Sequence, residues 1–224
     1  MGMQAILPIK SHSERVPGKN FKILGDKPLY CWIVRTLLEV REISGLVIDT
    51  DTDDRELWRL ADNPKVKIKK RSPNLVGDFV SMNEIIWDYV ASASETEFIM
   101  THVTNPFLSI ETITSAIKEY LVQKQNGYDS LFSVSPIQGR LFNSGGLPLN
   151  HDPQNLVRTQ DLDTILLENS CLYLFDKASF TKNRARIGSK PFLFPIPTLD
   201  SIDIDTREEW DLAQQVAKGL SLND

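Results

Sequence analysis

Cysteine is scarce in this chain: two in 224 residues, Cys31 and Cys171. Each sits in an apolar run, so buried free thiols are expected rather than a disulfide or a metal pair. No apolar run reaches membrane-spanning length. The N-terminus lacks the charged-then-apolar order of a signal peptide, and a cytoplasmic location is expected. Basic residues are not in excess: 25 Lys and Arg stand against 30 Asp and Glu, a net charge of −5. That balance argues against nonspecific nucleic-acid binding, which needs a basic surface. No G-x-x-x-x-G-K-[ST] occurs, so the chain is not a Walker NTPase. No G-x-G-x-x-G follows the first strand, so a Rossmann dehydrogenase is poorly supported. Apolar content of 41% and charged content of 25% are ordinary for a globular protein and exclude extensive disorder.

What is present concentrates at the start. Gln4 to Ile9 reads as a short buried strand. It runs into Lys10-Ser11-His12-Ser13-Glu14-Arg15-Val16-Pro17-Gly18-Lys19-Asn20, a loop with three cations, two serines, a glycine and an amide. Open α/β sheets bind ligands at the carboxyl ends of their strands. Lys, Arg, Ser and backbone amides gathered there suit a polyphosphate. A solvated basic loop is the competing reading.

Strand and helix signals then alternate, which predicts an α/β sheet. Leu29, Trp32, Ile33, Leu37 and Val40 recur at helical spacing. Leu46-Val47-Ile48 predicts a strand ending in Asp49-Thr50-Asp51, with Asp51 or Asp49 a further candidate carboxylate. A short helix is predicted over 55–61, a strand over 66–69, and a helix over 84–93. Phe98-Ile99-Met100 predicts a strand leading into Val103-Thr104-Asn105-Pro106, and Ser109 can cap the next helix. Strands are predicted at 131–134, 172–175 and 192–194. From 136 to 163 the period dissolves. A structureless loop of that length is unusual in a compact domain, so one domain over 1–224 is expected, with 136–163 as an arm, lid or dimer contact.

Ser201-Ile202-Asp203-Ile204-Asp205-Thr206 alternates strictly and predicts a strand. On a strand, Asp203 and Asp205 project together while Ile202 and Ile204 enter the core. Two adjacent carboxylates repel, and a divalent cation such as Mg²⁺ would offset them. The plainer reading is a solvated strand face. Asp200 falls on the opposite parity and is not counted as a ligand. Thr206-Arg207-Glu208-Glu209 reads as a capping box that opens a final helix.

In order along the chain, several blocks resemble the acylneuraminate cytidylyltransferase family. The loop from Lys10 to Asn20 is similar to that family's Arg-x-x-Ser-x-x-x-Pro-x-Lys-Asn. Val47 to Asp51 is similar to its Val-Ser-Thr-Asp segment. Arg71 to Asp78 resembles the arginine-proline stretch before its base-binding helix. Arg158 to Leu162, followed by Glu168 to Tyr173, resembles its Arg-x-Gln-Asp-Leu and Asn-Gly-x-x-Tyr elements. Ser201 to Thr206 matches its terminal acidic strand. Each block alone is weak, whereas the ordered set is specific.

The resemblance implies a three-layer, Rossmann-like nucleotidyltransferase fold (that of the nucleotide-diphospho-sugar transferases), with a mainly parallel sheet and a protruding arm. It implies CMP transfer from CTP to an acidic 2-keto sugar, with pyrophosphate released, and a homodimer. Ser13, Arg15, Lys19 and Asn20 would hold the triphosphate, with Lys10 nearest the transferring group. Arg71 and Ser81 would lie near cytosine and ribose. His102, Thr104, Asn105, Arg158, Gln160, Asn169 and Tyr173 would face the sugar, with Arg158 on its carboxylate. Asp203 and Asp205 would hold Mg²⁺. Lys10, Lys19 and Asp205 would form the catalytic set. Four positions depart from the pattern: Lys10 and Leu108 replace arginines, His102 a glutamine and Ser170 a glycine. The nucleotide half therefore matches more closely than the sugar half, and Kdo, legionaminic and pseudaminic acids stand beside sialic acid as acceptors. A nucleotidyltransferase for another nucleotide or sugar, or a catalytically silent nucleotide binder, is the alternative.

Overall fold

The first strand, β1 (Met3–Ile9), is buried along its whole length because it lies inside the sheet. A computed structural model describes residues 2–221. After β1 come the two-residue strands β2 (Ile23–Leu24) and β3 (Lys27–Pro28), α1 (Leu29–Glu39) and β4 (Ile43–Thr50). Next are α2 (Arg55–Arg59), β5 (Val66–Lys70), α3 (Met82–Val90), β6 (Glu97–Thr101) and α4 (Ile110–Gln125). The chain closes with β7 (Ser130–Ile137), β8 (Ile165–Asp176), α5 (Lys177–Asn183), β9 (Pro191–Pro195) and α6 (Arg207–Ser221).

Seven strands form one sheet in the order β5-β4-β1-β6-β8-β7-β9. β8 runs antiparallel to both neighbours, and the remaining pairs are parallel. The carboxyl ends of β1, β4 and β6 therefore meet at one edge, where the loop at 10–20, the end of β4 at 49–51 and the loop at 102–105 lie together.

The sheet is covered on both faces, giving three layers. Because successive strand residues point to opposite faces, Ala5, Leu7 and Ile9 join one core with Leu46, Ile48, Leu37, Ile117 and Ala213. Ile6, Val47, Phe98, Met100 and Tyr173 join the other with Ile86, Val90 and Phe180. α1, α4 and α6 cover the first face, and α3 and α5 the second. The thiols of Cys31 and Cys171 are free.

Two features differ from the sequence reading. The segment 201–206 is extended but joins no ladder. Its link to the β6 end is the Ile204 N–H donating to the Thr104 carbonyl at 2.9 Å. Alternation dictates side-chain parity there, with Ile204 fully buried, while the sheet edge is already occupied. α5 is not foreseen, since seven residues carry too little period; Asp176 caps it by accepting from Ser179 N at 2.6 Å. As expected, Ser109 caps α4, accepting from Thr112 N at 3.2 Å, and buried Asp200 holds that cap by accepting from the N–H and hydroxyl of Ser109 at 2.9 and 2.6 Å.

Between β7 and β8 the chain makes an excursion pinned by polar side chains. Gln138 donates to the carbonyls of Thr159 and Leu162, and Arg140 to that of Val157. Phe142, Leu147, Leu149, Leu156 and Val157 are exposed on it.

Candidate active site

Gly18 has φ 64, a left-handed turn that a residue with a Cβ adopts at a cost. It leads into a single 3-10 turn over Lys19–Phe21 and aims two polar side chains inward, so Lys19 and Asn20 are buried. Asn20 Nδ2 donates to the Lys10 carbonyl at 2.8 Å, and Ser11 N donates to Asp51 Oδ1 at 2.7 Å. Asp51 thus holds the loop's shape.

The loop faces the carboxylate segment directly. Lys19 Nζ lies 3.0 Å from Asp205 Oδ1 and also donates to the Ile204 carbonyl. Arg15 lies 2.8 Å from Asp205 Oδ2. Lys10, Ser13, Arg15, Lys19, Asn20, Arg71, His102, Thr104, Asp203 and Asp205 all line one cleft of about 490 Å³.

The two carboxylates are in unequal states. Burial alone would raise Asp205, but the hydrogen bond and charge of Lys19, joined by Arg15, hold it below the usual carboxylate value. Burial pushes Asp203 up to about 6, with the charge of Asp205 adding and a hydrogen bond from Thr104 opposing. Asp203 Oδ1 is buried with no hydrogen-bond partner. An orphaned carboxylate oxygen beside a second carboxylate is a fit for a hard divalent cation. Glu209 completes the local frame by accepting from the N–H groups of Asp205 and Thr206 at 2.8 and 2.7 Å, the reciprocal half of the capping box at α6.

Arg71 is almost fully buried at the end of β5. Its Nε donates to Asp49 Oδ1 at 2.6 Å, and Lys69 approaches the other Asp49 oxygen at 2.9 Å. Asp49 therefore serves as the counter-ion that orients Arg71. Lys10 reaches across the cleft to Asp78 at 3.0 Å.

His102 and Thr104 line the cleft. Burial, then the charge of Arg186, lowers the His102 ring to about 3, so it is neutral at ordinary pH. Its ring meets Tyr173 edge-on at 6.5 Å. Tyr173 is fully buried behind it, and Asn169 bonds to Ser133 and Ser135. Neither lines the cleft. Asn105 is buried too; its Nδ2 donates to Cys171 Sγ and the Ile202 carbonyl, clamping the carboxylate segment from below. Ser81 caps α3, accepting from Asn83 N at 3.3 Å, and borders the neighbouring hollow rather than the cleft.

Arg158 and Gln160 are not brought to this cleft. They lie exposed on the excursion, where Arg158 pairs with Asp161 at 2.6 Å. Leu108, where the resembled pattern has arginine, is core. Ser170, where the pattern has glycine, lines the cleft at φ 59, which accounts for a glycine preference there. Arg186 and Asp78 also line the cleft, and sequence reasoning misses both. No recognisable motif surrounds Arg186, whereas Asp78 ends the 71–78 block, where the resemblance gives it no role.

The chain is 29% identical over 220 residues to the N-acylneuraminate cytidylyltransferase of Oncorhynchus mykiss, covering 94% of this chain and 49% of that one. It spans about half the length of most of the curated relatives it matches. The CMP-N,N'-diacetyllegionaminic acid synthase of Legionella pneumophila subsp. pneumophila is 26% identical, with 96% of both chains covered. Among solved structures, a CMP:2-keto-3-deoxy-manno-octonic acid synthetase complexed with CTP superposes with a TM-score of 0.68 at 12% identity, over 98% of this chain and 100% of that one. That likeness shows the fold. The sequence model of the cytidylyltransferase family matches residues 4–194, and the chain belongs to that family.

Proposed function

We propose that this chain transfers CMP from CTP to the anomeric hydroxyl of an acidic 2-keto sugar and releases pyrophosphate. One observation carries the reading. Lys19 and Arg15, from the loop after β1, converge on Asp205 in the same cleft as the orphaned Asp203. Cations set against carboxylates suit a reaction that must hold a triphosphate and neutralise charge on a leaving pyrophosphate.

Ser13, Arg15, Lys19 and Asn20 bind the triphosphate, and Lys10 exchanges Asp78 for a phosphate oxygen near the transferring group. Arg71, held by Asp49, orients the base side, with Ser81 at the start of α3. His102 and Thr104 form the sugar side, backed by Tyr173, Asn105 and Asn169. The sugar hydroxyl oxygen attacks the α-phosphorus and gives up its proton to solvent; as the new P–O bond forms, the bond from the α-phosphorus to the oxygen bridging to the β-phosphorus breaks and pyrophosphate leaves with that electron pair. Asp203 and Asp205 would hold Mg²⁺, which when bound supplies charge neutralisation to the phosphates. Lys19 keeps Asp205 ionised throughout.

The full-length match to a legionaminic acid synthase supports a nonulosonic acid as acceptor. The exposed apolar side chains of the excursion support a homodimer joined through it, with Arg158 and Gln160 carried on that arm. Sedimentation at twice the chain mass checks this, and sedimentation at the chain mass contradicts it. Free thiols fit a cytoplasmic enzyme, and among the described residues no helix is long and apolar enough to cross a membrane. Phosphorus NMR of CTP, Mg²⁺ and an acidic 2-keto sugar tests the reaction: a new CMP phosphodiester signal supports it, and unchanged CTP with every such sugar contradicts it.

A further inference from the structure

The cations of the cleft divide by partner. Lys10 stands on Asp78, Arg15 and Lys19 on Asp205, and Arg71 on Asp49. Arg186 differs: among the described residues no carboxylate lies within ion-pair distance of it. It is nevertheless held firmly. Its guanidinium lies over the Tyr173 ring, 4.1 Å from the centroid, and Nη2 donates to the Tyr173 hydroxyl at 3.3 Å. That hydroxyl in turn donates to Glu168 at 2.5 Å. The Arg186 backbone N–H donates to Asn83 Oδ1 at 3.2 Å, fixing the turn after α5 against the start of α3. A guanidinium has five N–H donors in a planar fork that matches a carboxylate. Resting this one on a ring reduces what it must lose to bind an anion.

Its surroundings favour the acceptor over the nucleotide. Arg186 lines the cleft with His102, Thr104 and Ser170, at the β6 and β8 side of the sheet edge. His102 is neutral there and adds no charge of its own. Leu108 is buried in the core, and Arg158 is paired with Asp161 out on the excursion. Neither can present a cation to an anion in this chain's own cleft.

We infer that Arg186 binds the carboxylate of the acceptor and makes the enzyme select a 2-keto sugar acid over its uncharged counterpart. This rests on the function proposed above. Arg186 is thus a specificity residue at the sugar side, positioned by Tyr173 and Asn83.

The experiment is steady-state kinetics of wild type, Arg186→Gln and Arg186→Lys with one accepted 2-keto sugar acid and with its C1 carboxamide. Arg186→Gln is expected to raise the KM for the acid by about 10- to 100-fold, while the KM for CTP stays within about threefold. Arg186→Lys restores charge without the fork and recovers part of the loss. The carboxamide is a poor substrate for wild type and loses nothing further in Arg186→Gln. An unchanged KM for the acid, an equal loss on the carboxamide, or a KM rise for CTP instead overturns the inference. Wild type using acid and carboxamide equally well overturns it too, with no variant needed. Turnover by wild type together with any of these results leaves the proposed reaction standing; absence of turnover with every 2-keto acid overturns both.

Discussion

Lys19 Nζ sits 3.0 Å from Asp205 Oδ1 while donating to the Ile204 carbonyl, joining residues 186 positions apart. The Lys19 side chain is only 7% exposed, so the loop after β1 and the carboxylate segment form one unit before substrate arrives. Lys19→Met leaves the Ile204 carbonyl without this donor and Asp205 with Arg15 alone. We expect a stability loss of about 1–3 kcal/mol in urea denaturation and a fall in kcat/KM of at least about 100-fold. A variant with normal turnover would remove Lys19 from the phosphate site.

Asp203 and His102 oppose each other in their effect on stability with pH. Asp203 titrates near 6 in the fold against an ordinary 3.8. Its contribution is complete below about pH 3.8 and lost as pH rises to 6. His102 titrates near 3 against 6.5. Its contribution is complete above about pH 6.5 and lost as pH falls toward 3. Between pH 4 and 6 each gives a slope of up to about 1.4 kcal/mol per pH unit, of opposite sign. Without divalent cation, Asp203→Asn should therefore gain stability with rising pH relative to wild type, and His102→Gln should lose it. Parallel curves for all three proteins would refute the assigned environments. At pH 7.5 Asp203→Asn should also be about 1–3 kcal/mol more stable than wild type while turning over far more slowly, as expected where a site carries unsatisfied charge for function.

Asp49 and Arg71 form a nearly fully buried pair, with side chains 1% and 4% exposed. Asp49→Asn removes the charge that both Arg71 and Lys69 face. Breaking a buried pair from one side costs about 3–5 kcal/mol, and the KM for CTP should rise as Arg71 loses its orientation. A urea midpoint equal to wild type would contradict this.

Ser170 holds φ 59 where β7 and β8 pair with an irregular register. Ser170→Gly should raise stability by up to about 1 kcal/mol, since glycine adopts that conformation freely. A loss in thermal denaturation would mean that the Ser170 hydroxyl matters more than the backbone.

Part of this architecture is legible in the amino-acid order alone. Gln4 to Ile9 is apolar enough to announce a buried strand, and Thr206 with Glu209 announces the start of α6. The loop residues Lys10 to Asn20 mark themselves by charge at a strand end. Alternation at 202–205 tells which side chains share a face but not that the segment lacks a ladder, because side-chain period carries no information about pairing. Long-range partners are invisible. Nothing near Arg71 in sequence names Asp49, 22 residues away. Arg186 reaches Tyr173 only because α5 folds the chain back, and a lone arginine in a turn has no pattern. Arg158 and Gln160 are conspicuous as a motif, yet the excursion carries them away from the cleft of their own chain.

The decisive measurement of CMP transfer is pyrophosphate release from CTP in the presence of Mg²⁺ across a panel of acidic 2-keto sugars, with a no-sugar control and Asp205→Asn alongside. Release is expected to depend on one class of acidic sugar and on Mg²⁺, and to fall by at least about 100-fold in Asp205→Asn while the variant stays folded. Tight CTP binding with no sugar-dependent release, or full activity in Asp205→Asn, would contradict this expectation.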